Sequence, residues 1–128
     1  MSITSAKHYH DELKKWQESI NFFINTALEL EQHLDDVVKR NSIVDIAAKV
    51  EVHQLMLNNI VDKLHYLQKE ILLQISFLLK DEKLIEDNDI TNDFEMQHTS
   101  LTERVKKIEK EFVDVEFYCN AFITEILK

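Results

Sequence analysis

From Ala6 to Val37 the apolar residues fall alternately three and four apart: Ala6, Tyr9, Leu13, Trp16, Ile20, Phe23, Ala27, Leu30, Leu34 and Val37. A strand returns to the same face every second residue, so only a helix gathers these positions onto one stripe. The unbroken alternation is that of a helix packed in a left-handed bundle. Ile24 and Val38 flank the stripe and widen it, as suits a helix touching two neighbours. The pattern predicts a first helix over residues 5–38.

Two further segments behave alike. "KRNSIVD" breaks the first stripe, with Ser42 as the expected N-cap and Asp45 near the positive helix end. A second helix is predicted over 43–80, roughly 57 Å long. It carries three apolar rows, beginning at Ile43, Ile46 and Ala47, which makes it the central helix. "KDEKLIEDNDITND" is the second break. Asn92 is the expected cap of the third helix, with Glu95 completing a capping box and Thr91 as the competing cap. The third helix, predicted over 92–127, bears Phe94, His98, Leu101, Val105, Ile108, Phe112, Val115, Cys119, Phe122 and Ile126 on its seam. Glycine and proline are both absent, so folds that need many tight turns are disfavoured. Short connections make consecutive helices antiparallel neighbours. The expectation is an all-α, single-domain chain over residues 1–128: an elongated three-helix, up-down-up bundle with coiled-coil-like packing. Apolar residues off the seams, including Phe22, Leu73, Phe77 and Phe117, suggest completion by dimerisation.

Charge and composition narrow the partners. A net charge of −9 repels nucleic acid and anionic lipid where no basic face exists, and "RVKKIEKE" is interrupted by glutamates. The most apolar run, "ILLQISFLL" at 71–79, is too short to span a bilayer. The polar opening "MSITSAKHYHDE" has no leader pattern, so a cytoplasmic location is expected. Cys119 is the single cysteine. It excludes an intramolecular disulfide and reads as a buried structural thiol.

Two histidines fall on seams. Folding the hairpins about residues 40 and 85 puts His53 level with Ala27 and Phe117, where no further ligands gather. Its expected role is packing and register, shared with Gln54. The same arithmetic puts His98 level with residues 72 and 8, near His8, His10, Glu12, Glu70, Gln74 and Glu95. Glu95 and His98 have the E-x-x-H spacing of carboxylate-bridged di-metal bundles, which use that pair on two helices. Only one such pair is present, and Glu12, Glu70 and Glu95 flank the seams. A metal site for iron, manganese or zinc built from Glu95, His98, Glu70 and His10 is therefore the alternative reading. The main reading gives these residues no cofactor and no small-molecule substrate. No nucleophile elbow, phosphate-binding glycine loop or H-E-x-x-H motif occurs in the sequence. A Cys119–His53 pair would need a cleft that a narrow bundle does not offer.

The stretches "HDELKKW" (10–16), "VVKRN" (37–41), "VEVHQ" (50–54) and "VDKL" (61–64) resemble a group of small helical coiled-coil proteins of Bacteroidetes. The resemblance covers about the first half of the chain. It implies a helical coiled-coil fold and directs attention to Trp16, Asn41 and the V-E-x-H-Q stretch. The group consists of uncharacterised proteins, so no residue inherits a catalytic or binding role. The functional expectation is a non-catalytic scaffold or protein–protein interaction module that self-associates as a homodimer or binds a helical partner.

Overall fold

The computed structural model describes residues 5–40 and 45–126. Three long helices pack against one another: α1 (Ala6–Arg40), α2 (Ile46–Leu78) and α3 (Asn92–Ile126). The bundle is all-α, as the spacing predicts. Cross-helix pairs fix its sense. Tyr9 meets Phe94, Trp16 meets His98 and Phe23 meets Phe112, so α1 and α3 run parallel. Asn21 bonds Gln68 and Asp35 bonds Gln54, so α2 runs antiparallel to α1. The order is up-down-up.

The seams fill the core. On α1 the seven-residue row Ala6, Leu13, Ile20, Ala27 and Leu34 is buried, while Tyr9, Trp16 and Phe23 of the alternate row are half-buried. The central helix buries residues on two faces, among them Ile46, Leu57, Ile60, Leu67, Ile71 and Ile75. Its third row turns partly outward: Ala47 is exposed and Val61 half-buried. On α3 the stripe holds to Cys119, then drifts so that Ile123 is buried and Ile126 half-buried. A straight helix rotates about 20° per heptad against a seven-residue repeat, which accounts for that drift.

Helix ends follow local chemistry. Ser5 Oγ accepts the His8 amide proton at 3.1 Å and caps α1, whose last turn carries Lys39 and Arg40 against the negative helix end. Ser42 and Ile43, expected to open α2, lie outside the described residues, as does Asn41. Asp45 immediately precedes α2 without a side-chain cap bond. At α3 the competing cap prevails: Thr91 Oγ1 accepts from the Phe94 amide at 3.1 Å, and Asn92 is the first helical residue. That shifts Glu95 one place past the capping-box position.

The end of α2 differs from expectation. The helix stops at Leu78, and Leu79–Lys80 (β1) pairs with Lys83–Leu84 (β2) in a two-residue hairpin. Asp81 and Glu82 turn the chain with φ of 54° and 65°, the sign pattern of a type I′ turn without its usual glycine or asparagine. The Ile85 amide bonds back to Leu78 O at 2.9 Å, closing the helix end. A 3₁₀ turn at Asp87–Asp89 follows. It brings Asp87 Oδ1 within 2.9 Å of the Ala6 amide, so the connector places a carboxylate on the first exposed N–H of α1.

Candidate functional site

His98 and Gln74 are the buried polar residues among the described core, and they meet. His98 sits on the α3 seam one turn after Phe94, where the three–four pattern carries it inward. Its Nδ1 lies 2.8 Å from Gln74 Oε1 of α2. Its Nε2 lies 2.5 Å from Glu12 Oε1 of α1, a half-buried carboxylate that reaches in from beside the seam. One side chain thus joins all three helices.

Aromatic rings enclose the imidazole. Trp16 lies near-parallel to it at 4.9 Å and 22°, and Phe94 at 5.8 Å and 18°. Tyr9 presents edge-on at 4.7 Å. Phe77 stacks in turn on Phe94. Gln74 is oriented by Phe94, whose carbonyl accepts from Gln74 Nε2 at 3.5 Å. Turning the amide over would set two carbonyl oxygens against each other. Gln74 therefore offers its oxygen to His98, and Glu12 offers a carboxylate. Both ring nitrogens face acceptors.

The four residues of the metal alternative take separate positions. Glu70 forms an ion pair with Arg104 of α3. The two groups touch without an aligned hydrogen bond: neither Glu70 Oε2 nor Arg104 Nε has a hydrogen-bond partner among the described residues. Glu95 is exposed, and His10 is half-buried on α1. His98 engages Glu12 and Gln74 instead. Among the described residues no group of three or more His, Cys, Asp or Glu side chains is placed to hold a metal ion.

At the other end of the bundle His53 is half-buried and stacks on Phe122 at 4.3 Å and 16°. Its Nδ1 lies 3.0 Å from Lys49 O one turn back on its own helix. Cys119 is fully buried, and burial pushes its thiol up to about 11. It is protonated and unreactive at neutral pH.

Outside the core, α2 and α3 leave an open furrow. One stretch, of about 610 Å³, is lined by Leu73, Phe77, Phe94, Leu101 and the Glu70–Arg104 pair. A second, of about 420 Å³, is lined by Tyr66, Leu67, Ile108 and Lys107, and shares Arg104 with the first. The sequence identifies Leu73 and Phe77 as off-seam apolar residues. Trp16, by contrast, reads as core from the sequence, and its stacking on His98 has no local signature.

Fold and site together define a three-helix antiparallel bundle with a three-helix histidine clamp at one end and, along one side, a furrow lined by apolar and charged side chains. No family model, no curated protein and no solved structure matches the chain. No described helix is long and apolar enough to cross a membrane.

Proposed function

We propose that the chain is a non-catalytic helical interaction module that docks a second copy of itself, or another helical protein, along the α2–α3 furrow. The observation that carries this reading is the exposed apolar row of α2: Leu73 is 70% exposed, Tyr66 61% and Phe77 41%. Rigid helices hold these side chains on the rim of a groove already lined by Phe94 and Ile108. Apolar surface of that continuity marks interaction sites more often than isolated exposed residues do.

Light scattering coupled to size exclusion tests it. A mass of twice 15.2 kDa is expected for the wild-type chain, and a monomer for Leu73→Glu, which places a charge in the groove. A wild-type monomer at every concentration, with Leu73→Glu indistinguishable from it, would rule out self-association. The remaining arm would then need a helical partner whose binding Leu73→Glu abolishes.

A further inference from the structure

Two ion pairs bridge the α2–α3 furrow. Glu70 meets Arg104, and Lys63 meets Glu111 at 3.0 Å. The pairs stand seven residues apart on both helices, so they give the height of every other furrow residue. Leu73 is level with Leu101, and Tyr66 with Ile108. The Glu70–Arg104 pair is incomplete: Glu70 Oε2 and Arg104 Nε are buried, and neither has a hydrogen-bond partner among the described residues. Buried polar atoms are seldom left so. A guanidinium carries five donors in a planar fork and a carboxylate about four acceptor sites, so each group can engage a second partner.

The two walls differ in charge. Around that pair α2 contributes Asp62, Lys63 and Glu70, two acids against one base, and α3 contributes Arg104, Lys107 and Glu111, two bases against one acid. These six charges cancel, so the face does not share the repulsion of a chain at −9. Asp93 stands apart at the connector tip, in the first turn of α3.

We propose that the furrow is closed by a second copy of the chain, related by a two-fold axis running along the bundle, so that Glu70 of each copy meets Arg104 of the other. The inference rests on the docking reading above and fixes its geometry. Rotation about a lengthwise axis leaves heights unchanged and lays α2 of each copy over α3 of the other. The acidic wall then faces the basic wall twice. Two carboxylates and two guanidiniums close an alternating ring, which supplies each incomplete group with a second partner. Leu73 comes over the other copy's Leu101 level, where Ser100 is small enough to receive it, and Tyr66 over Ile108. Each of the four furrow helices gains an antiparallel neighbour, as in up-down bundles. A two-fold axis crossing the furrow would instead lay α2 on α2 and α3 on α3, setting walls of like sign together.

Spin labels on Glu51→Cys, His65→Cys and Ser76→Cys, one per chain, test the axis. All three positions are exposed on α2 and outside the furrow lining, and burial keeps Cys119 unlabelled. Electron-spin distance measurements are expected to give three label separations between copies that agree within about 10 Å, two turns of helix. A crossing axis adds about 3 Å of separation along the bundle for each residue away from it, so three matching values would be impossible. Such a spread in a dimer would overturn the arrangement and leave the docking reading standing, whereas a wild-type monomer would overturn both. Glu70→Arg and Arg104→Glu alone are each expected to be monomeric where the wild type is a dimer, and an equimolar mixture of the two to recover the dimer mass. Single variants that dimerise like wild type, or a mixture that stays monomeric, would overturn the cross-copy pairing. If a single variant does not fold, the label separations decide the matter alone.

Discussion

His98 and His53 are both seam histidines, and they are held in different ways. Each stacks on an aromatic ring. His98 spends both nitrogens on other helices, so its bonds exist only when the bundle is assembled. The polar contact of His53 is to a carbonyl of its own helix, which is present whenever that turn forms. Long-range bonds report on tertiary structure, whereas a local bond adds little to a helix that packing already stabilises. The connector end of the bundle is therefore stitched by polar contacts across the chain. The opposite end rests chiefly on Leu34, Val50, Cys119 and their apolar neighbours, with one exposed cross-helix bond from Gln54 to Asp35 at its surface.

The largest expected effect breaks the comparison directly. His98→Ala removes a packed ring and strands Glu12 and Gln74, at a cost of about 3 kcal/mol in denaturant unfolding. His53→Ala should cost about 1 kcal/mol or less, because the Lys49 carbonyl keeps its bond in the helix ladder. Equal costs at the two sites would erase the distinction. A smaller effect sharpens it at the connector. Asp87→Ala removes the carboxylate from the α1 N-terminus, and a loss of about 1 kcal/mol is expected with faster exchange of the Ala6 amide. If the exchange rate of Ala6 is unchanged, the capping role fails. Smallest is Glu82→Gly in the hairpin, expected to raise stability by about 0.5 kcal/mol by relieving a left-handed conformation. A loss there would mean that the Glu82 side chain contributes something its backbone strain conceals.

Seam periodicity made the three helices legible, because the stripe that predicts a helix is the same stripe that builds the core. The meeting of His98 with Gln74 was nearly legible too, since arithmetic set it level with residue 72. The α1 side was less accurate: the expected level was residue 8, and the partner is Glu12. At the far end the discrepancy grows. Gln54 reaches Asp35, about two turns beyond the expected level near Ala27, and His53 stacks on Phe122 instead of lying level with Phe117. A shift in the point where a hairpin folds is doubled on the opposite helix. Here α1 runs on to Arg40 before the chain turns.

The hairpin at 79–84 was not legible. Without glycine or asparagine, Asp81 and Glu82 carry no turn signature, and the expected helix ran on to Lys80. The Asp87–Ala6 bond links residues 81 positions apart, a separation on which no local pattern bears. Glu12 flanked the seam in sequence, and only its side-chain reach brings it to His98.

An odd number of alternating rods has a geometric corollary. Because α1 and α3 run the same way, Ala6 and Ile126 stand at opposite tips, separated by the length of a 35-residue helix, about 50 Å. Polypeptide appended before α1 and polypeptide appended after α3 would leave in opposite directions. In such a fusion the bundle would serve as a stiff spacer, setting how far apart its two tethered cargoes are held.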